Sequence, residues 1–289
     1  LEGKDDKHGY HSRGHLNTDR IWAAYNLKAG RFTLNAGAEL GYTSYYRDGI
    51  FRKGLFPNDS EGTAAKQKFR TYPVKAGGGY DLNENQSLAL NLVRMQNAPL
   101  FEDAYISPRS HNRVVDGLTT EKVTSAELSW AGRYQEGIKW KLTAFLTDIR
   151  DGAEHYNYFD DVLNSYSDLS LTGVNRQHSG AELYVEVPVA GRFSARGVLN
   201  YGYYKYTSNP RLTHSTDNNT GLLADREIVY WDGMKVEATP QTAASLGIFY
   251  HNTSKGFYAE LSGCYYDAMY ISMNPLLRTD RPQTNLTPE

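Results

Sequence analysis

Residues 126–134 read Ala-Glu-Leu-Ser-Trp-Ala-Gly-Arg-Tyr, in which apolar or small residues alternate with polar ones over most of the segment. Successive side chains of a β-strand point to opposite faces, so this segment is predicted to be a strand with one apolar and one polar face. Residues 138–146 repeat the alternation, with Trp140 and Leu142 on one face and Lys139 and Lys141 on the other. The two segments are separated by a short Gly-containing connection, which predicts a β-hairpin.

The same alternation recurs along the whole chain. Ten segments show it: 20–27, 31–47, 67–80, 86–96, 121–135, 138–150, 178–189, 193–207, 241–250 and 256–271. Several exceed ten residues, whereas five or six are typical of strands in soluble proteins. A tilted strand that crosses a membrane needs roughly 9–11 residues. The fold class predicted from this pattern is all-β, an antiparallel transmembrane β-barrel.

The connections between these segments alternate between short and long. The short ones are Lys28-Ala29-Gly30, 81–85, Glu136-Gly137, Ala190-Gly191 and 251–255, and the long ones are 48–66, 97–120, 151–177 and 208–240. Soluble domains rarely contain several long structureless loops, whereas membrane barrels have short periplasmic turns and long extracellular loops. By the same alternation, residues 1–19 and 272–289 are expected to lie on the extracellular side.

Composition narrows the function. The chain has 289 residues and a formal charge of −2, without a basic stripe, so nucleic-acid binding is not expected. It contains no run of about 20 apolar residues, which excludes a transmembrane helix. The 23 tyrosines suit an interfacial aromatic girdle, for which Tyr203, Tyr204 and Tyr206 are candidates. Cys264 is the single cysteine, so an intrachain disulfide is excluded.

Several short motifs resemble those of a known family. Residues 98–105, Ala-Pro-Leu-Phe-Glu-Asp-Ala-Tyr, look like the Pro-x-Phe-x-Glu-x-Tyr loop segment of TonB-dependent receptors. Later segments are similar to further motifs of that family, in the same order: 118–129 (with Thr120 in place of the usual Pro and Ser129 in place of Gly), 173–183, 201–203 and 239–241 (with Gln241 in place of His). Together they make residues 98–250 resemble the C-terminal half of such receptors.

This resemblance implies a function and a set of partners. In the family, a plug domain fills a 22-stranded barrel, ligand binds the outer loops and the plug, and the inner-membrane TonB complex supplies energy. Residues 1–289 would then be part of the barrel domain, without the plug and the terminal strands. The implied function is energy-coupled uptake of a scarce nutrient, above all an iron chelate (siderophore), in the outer membrane of a Gram-negative bacterium. The expected partners are outer-membrane lipid, the TonB complex and the small-molecule ligand.

Candidate site residues lie in the long connections. The aromatic run at 155–159 is the best candidate for ligand contact, through His155, Tyr156, Tyr158 and Phe159. A second group, interpreted as a solvated loop rather than a metal or acid–base site, comprises Asp148, Asp151, Glu154, His155, Asp160 and Asp161. His8, His11 and His15 have a helical metal-ligand spacing in a segment too Gly-rich and polar for a helix. The sequence therefore assigns no catalytic residue, no metal ligand and no cofactor.

Two other functions remain open at this point. A passive porin-like channel shares the alternation and the loops but lacks a plug, so an upstream plug domain would distinguish the two. A soluble carbohydrate-binding β-protein would be extracted without detergent, whereas a lipid-facing barrel would not. An outer-membrane enzyme would need a nucleophile and a base, and no such motif is present.

Overall fold

The computed structural model describes residues 10–134 and 137–280, and within these ranges fourteen strands form one antiparallel sheet. The strands are β1 (Ser12–Ala29), β2 (Phe32–Gly49), β3 (Gly62–Thr63), β4 (Gln67–Thr71), β5 (Val74–Asn83), β6 (Gln86–Asn97), β7 (Glu121–Tyr134), β8 (Ile138–Asp160), β9 (Ser165–Ala190), β10 (Phe193–Tyr206), β11 (Arg211–Thr216), β12 (Ala224–Ile228), β13 (Thr242–Asn252) and β14 (Phe257–Asp267). Short 3-10 helices occupy Glu102–Ala104, Thr253–Lys255 and Pro275–Arg278. In the described part of the chain, no helix has the length and hydropathy needed to cross a bilayer.

Ten of these strands pair in the order β1-β2-β5-β6-β7-β8-β9-β10-β13-β14. They correspond to the ten predicted segments, so the all-β antiparallel fold is confirmed. The short strands β3, β4, β11 and β12 pair alongside this path. Within the described residues, β1 pairs with β2 and β14 pairs with β13, and the sheet does not close on itself. The ten strands are therefore consistent with part of a barrel wall.

The antiparallel order places the connections at two ends of the sheet. The tight connections β1–β2, β5–β6, β7–β8, β9–β10 and β13–β14 lie at one end, named here the turn end. The long connections lie at the other, the loop end, as predicted. Of the predicted turn Glu136-Gly137, Glu136 lies outside the described residues, as do 1–9 and 281–289 of the predicted extracellular termini.

One row of directly paired residues shows how the sheet separates apolar from polar side chains. Residues opposite each other on neighbouring strands share a face. The row crosses all ten strands through Ala29, Phe32, Tyr80, Leu88, Trp130, Leu142, Leu183, Leu199, Ala244 and Tyr265. Most of the large side chains in this row are at least one-third exposed to solvent. The sheet therefore presents a continuous apolar face that none of the described residues covers.

The next row belongs to the opposite face, which is polar. It includes Ser129 and Thr143, whose hydroxyl oxygens are 3.0 Å apart, and Glu182, which accepts a hydrogen bond from Asn200. The predicted side-chain alternation is thus confirmed. Of the three predicted girdle residues, Tyr203 lies on the exposed apolar face, where a girdle residue would have to be. The prediction is wrong for Tyr204 and Tyr206, which point to the polar face and are buried there.

The prediction that residues 151–177 form a loop is wrong. β8 continues to Asp160 and β9 begins at Ser165, so the segment is a long hairpin with a tight turn. The Asp160 carboxylate accepts hydrogen bonds from the amides of Val162 and Leu163 and stabilises that turn. The reason for the error is that both faces of this hairpin are packed against other segments. The simple apolar-to-polar alternation therefore changes phase at a bulge between Ile149 and Ala153.

Other boundaries also differ from the predictions. The predicted strand 67–80 is interrupted between β4 and β5 at Tyr72-Pro73, because proline has no amide hydrogen for the ladder. β1 begins at Ser12, so part of the predicted extracellular segment 1–19 is a strand. The predicted loop 208–240 contains β11, which pairs with β9 and extends the β8–β9 hairpin sideways.

Two buried apolar clusters stabilise the loop end. The larger consists of Leu169, Leu171, Val174, Tyr204, Tyr206, Leu212, Val229, Trp231 and Val236. The smaller consists of Tyr45, Ala64, Phe69, Ala104 and Tyr105. Burying such side chains stabilises each by about 1.5–3 kcal/mol, so the long connections form a folded layer on the sheet.

Candidate functional site

The four predicted ligand-binding residues lie on β8 rather than on a loop, and the strand separates them. His155 and Phe159 point to one face of the hairpin, and Tyr156 and Tyr158 point to the other. The structure therefore does not bring the four together on a single surface. The side chains on the two faces of the hairpin have different surroundings.

Tyr156 belongs to a buried acidic group. Its hydroxyl lies 2.8 Å from Glu154 Oε2 and 3.0 Å from Glu237 Oε1, and it donates to these carboxylates. Arg176 faces the same group, with Nη1 3.2 Å from Glu154. Burial, followed by the charge of Glu154, raises the pKa of Tyr156, and burial also raises the pKa of Glu154. Tyr156 and the neighbouring Tyr158 pack against the larger apolar cluster.

His155 lies on the other face, in a polar network. Its Nε2 is 3.2 Å from Asp168 Oδ1 and its Nδ1 is 3.3 Å from Ser170 Oγ. Asn157 donates to the same Asp168 oxygen at 2.7 Å. Burial alone would raise the pKa of Asp168, but the hydrogen bond from His155 and the charge of Arg109 outweigh it, and the pKa is lowered. Asp168 is therefore an ionised, almost fully buried anion.

Arg109 connects this network to the connection between β6 and β7. Its Nη2 lies 2.9 Å from Asp168 and 3.7 Å from Asp217, and its Nη1 donates to Asn157 at 2.8 Å. The guanidinium also lies over the Tyr166 ring, 4.6 Å from its centroid. One side chain thus joins three long connections of the loop end.

Arg47, on β2, binds two of the long connections in the same region. Its side chain is only 1% exposed, and within the described residues no carboxylate lies within ion-pair distance. The guanidinium donates instead to the carbonyl oxygens of Pro108 at 2.8 Å and Ser60 at 3.1 Å, and to Asn112 Oδ1 at 2.6 Å. A buried arginine bound to backbone carbonyls fixes the course of both connections.

Asp103 is a carboxyl group of this layer whose pKa is raised. It lies in the 3-10 helix Glu102–Ala104, beside β8. Burial and then the negative charge of Glu102 raise its pKa to about 6, although the nearby His155 opposes the shift. Its charge therefore changes in the mildly acidic range.

A cavity of about 450 Å³ opens beside this network. It is lined by three of the long connections, 48–66, 97–120 and 208–240, through residues that include Phe56, Asp59, His111, Arg113 and Ser215. Burial lowers the pKa of His111, even though Asp59 lies 3.6 Å away. The cavity offers apolar, aromatic and polar groups, a composition typical of small-molecule sites.

The predicted carboxylate group does not converge. Asp151 pairs with Lys122, Asp148 with Arg150 and Glu154 with Arg176, and Asp160 stabilises the turn. Its interpretation as a solvated loop is wrong for Glu154 and His155, which are largely buried. His15 stacks on Tyr46, and His8 lies outside the described residues. Among the described residues, no three metal-ligating side chains are placed around one point.

Sequence reasoning missed Arg109, Asp168 and Arg47. One signal was available for Asp168: residues 165–171, Ser-Tyr-Ser-Asp-Leu-Ser-Leu, alternate and would have predicted a strand with Asp168 and Ser170 on one face. No local signal distinguishes Arg109 or Arg47, because their partners are distant in sequence.

An open antiparallel meander, with an exposed apolar face and folded connections at one end, defines a membrane β-barrel protein. The family model described as "TonB dependent receptor-like, beta-barrel" matches residues 5–286. The chain therefore belongs to the TonB-dependent receptor β-barrel family. A comparison with curated proteins finds no match.

Solved structures of similar fold are receptors and transporters. The copper transporter OprC aligns with a TM-score of 0.61 and 14% identity, over 83% of this chain and 33% of that one. The ferric-catecholate import receptor Fiu from E. coli aligns with a TM-score of 0.54 and 20% identity, over 85% of this chain and 33% of that one. The chain thus spans about a third of the length of these two proteins.

Proposed function

We propose that this chain is part of an outer-membrane receptor for energy-coupled uptake of a scarce nutrient, with an iron chelate as the cargo. The observation that carries the proposal is the ten-strand apolar row opposite a polar face, beneath a folded loop end. Such a wall separates lipid from a polar lumen, and its loop end offers a built surface for ligand capture. Family membership supports a transport role and gives no support to an enzymatic one.

The strand edges support a larger barrel. In lipid, each unpaired amide or carbonyl of an edge strand loses several kcal/mol of hydrogen bonding. β1 and β14 would expose such groups along 18 and 11 residues. We therefore propose that residues 1–289 belong to a barrel domain completed by further strands and filled by a plug domain, through which the TonB complex acts.

Ligand contact is proposed at the loop end. Of the predicted residues His155, Tyr156, Tyr158 and Phe159, Phe159 has the most exposed ring, 47% accessible and edge-to-face with Tyr166. An exposed aromatic pair suits the planar groups of an iron chelate. Contact by the other three residues stays a prediction, since their side chains are engaged in the buried networks.

Growth and uptake separate the possible functions. A strain lacking the gene, complemented with the full-length gene or with an empty vector, is starved of iron and supplied with ferric catecholates, ferric hydroxamates or copper. The proposal expects accumulation of a labelled ferric chelate only with the gene, abolished by a protonophore. Uptake that is insensitive to the protonophore would indicate a passive channel, and copper accumulation alone would overturn the iron assignment.

A further inference from the structure

Two lysines face each other without a counterion among the described residues, at the edge of the apolar face nearest the loop end. Lys205 on β10 forms an isolated antiparallel bridge with Lys235. The Lys235 Nζ lies 3.2 Å from the centroid of the Tyr203 ring, and the Lys205 Nζ lies 5.8 Å from it. Within the described residues, no carboxylate is within 4.0 Å of either ammonium group. Like charges placed opposite each other are destabilising unless an anion joins them.

The register fixes the level of this pair on the barrel wall. Lys205 is opposite Gln177, which is opposite Asp148, so the lysines share the face of the apolar row. The next row on the same face, one step nearer the turn end, contains Tyr203 and Leu146, which are both paired with Ser179. Exposed tyrosines mark the boundary between hydrocarbon and headgroups. The two ammonium groups therefore lie at headgroup level, on the side of the loop end.

The positive charge continues around the same rim. Arg70, Arg94, Lys122 and Arg150 also point outward, on β4, β6, β7 and β8, and are exposed. Arg94 is in the row of Lys205, and Lys122 and Arg150 are one row nearer the loop end. Lys122 and Arg150 each have a carboxylate partner, whereas Arg70 and Arg94 have none within ion-pair distance in the described chain. A rim of this kind attracts an anionic lipid surface.

We infer that Lys205 and Lys235 bind a phosphate group of an anionic lipid in the leaflet facing the loop end, with Tyr203 contacting the lipid below the phosphate. Two ammonium groups supply several donors to phosphate oxygens, and bonds between charged partners are the strong ones. A lipid also gains from burying its acyl chain against the adjacent apolar face, which a free anion cannot do. The inference rests on the proposed outer-membrane location and not on the cargo.

Lipid titration of the full-length receptor tests this inference. The protein in detergent micelles is titrated with bis-phosphorylated lipid A, and bound lipid is counted by native mass spectrometry. The variant Lys205→Gln/Lys235→Gln should bind roughly 30-fold more weakly, since each basic residue contributes about 1 kcal/mol. The matched control Lys75→Gln/Lys141→Gln removes two exposed lysines from the polar face and should bind as the wild type does.

Three outcomes would overturn it. They are unchanged binding by the rim variant, an equal loss in the control variant, and equal binding of dephosphorylated lipid A. Displacement of the lipid by inorganic phosphate at comparable concentration would identify a free-anion site and would also refute the lipid. A receptor that imports its cargo normally but fails the lipid test would refute this inference alone and leave the proposed function standing.

Discussion

The guanidinium of Arg109 lies 2.9 Å from the carboxylate of Asp168, although 59 residues separate them in sequence. Asp168 is on the β8–β9 hairpin and is nearly inaccessible to solvent, whereas Arg109 is on the connection between β6 and β7 and is partly exposed. This ion pair therefore holds the connection onto the hairpin. Any ligand that enters beside the hairpin meets a surface whose shape depends on it.

Asp168→Asn should loosen that connection. The variant leaves Arg109 without its closest anion. Because Asp168 is buried but Arg109 is partly exposed, the cost should be about 2 kcal/mol, between the values for exposed and for fully buried pairs. Hydrogen exchange of residues 98–120 should then be roughly 30-fold faster, because local opening follows local stability. Asp161→Asn makes the same chemical change at the turn of the same hairpin and should leave exchange unchanged. Equal exchange in both variants would contradict the role assigned to the ion pair.

Mild acid should strengthen the contribution of Asp103 to the same docking. The pKa of Asp103 is raised by burial to about 6, above the value of about 3.9 in an open segment. Between these values the open segment loses a proton that the docked segment keeps, so docking weakens as pH rises through this window. Burial lowers the pKa of His111 in the same segment, and this opposes the effect of Asp103 in acid, so the contribution of Asp103 is read by comparing the wild type with Asp103→Asn, which keeps His111. Between about pH 7 and about pH 5, protection of residues 98–120, corrected for intrinsic exchange, should rise roughly tenfold more in the wild type than in Asp103→Asn. An equal pH dependence in the two proteins would exclude Asp103 as a titrating group.

The spanning part of the fold was predictable because lipid imposes a simple rule on it. Where one face meets hydrocarbon and the other a polar lumen, alternation in sequence translates directly into a strand, as at Leu128 and Ser129. The registers then follow from antiparallel pairing. Consecutive residues of a strand point to opposite faces. Tyr203 and Tyr204 therefore cannot both belong to one girdle, although the prediction placed them there together.

The loop end was less predictable because its contacts are non-local. Tyr156 resembles a ligand-binding aromatic in sequence, yet Glu237, 81 residues away, binds its hydroxyl. From the sequence alone, Arg47 would be assigned to the surface. In the fold it is buried and donates hydrogen bonds to Asn112 and to the carbonyl oxygen of Ser60. Composition rich in Asp, Asn and Ser indicates polarity, and here that polarity serves buried networks rather than solvation.

Surface labelling should confirm the orientation of the sheet. In a Cys264→Ser background, Val162→Cys places a thiol at the loop end, where Val162 is 94% exposed, and Ala190→Cys places one at the turn end. A membrane-impermeant maleimide should label Val162→Cys in intact cells and Ala190→Cys only after lysis. The reverse pattern would invert the proposed orientation.

Phe159→Ala should weaken capture of the cargo. Its exposed ring is the aromatic of the predicted set that a ligand could reach without rearrangement, and truncating a contact aromatic costs more than about 1 kcal/mol when it matters to binding. The concentration for half-maximal uptake should therefore rise at least fivefold. Phe193→Ala, which removes an exposed ring at the turn end, serves as the control. Unchanged uptake in Phe159→Ala would remove Phe159 from the ligand site.

Leu183→Arg should destabilise the barrel, whereas Glu182→Arg should not do so to a comparable extent. Leu183 belongs to the apolar row and lies midway between Ser179, at the level of Tyr203, and Val187 nearer the turn end. An arginine at the centre of a lipid-facing strand costs about 2–4 kcal/mol. Glu182 is adjacent but points to the polar face, where water can solvate the guanidinium. Urea unfolding of the full-length receptor in lipid vesicles measures both variants, and a larger loss for Glu182→Arg would mean that the apolar face is not the one that meets lipid.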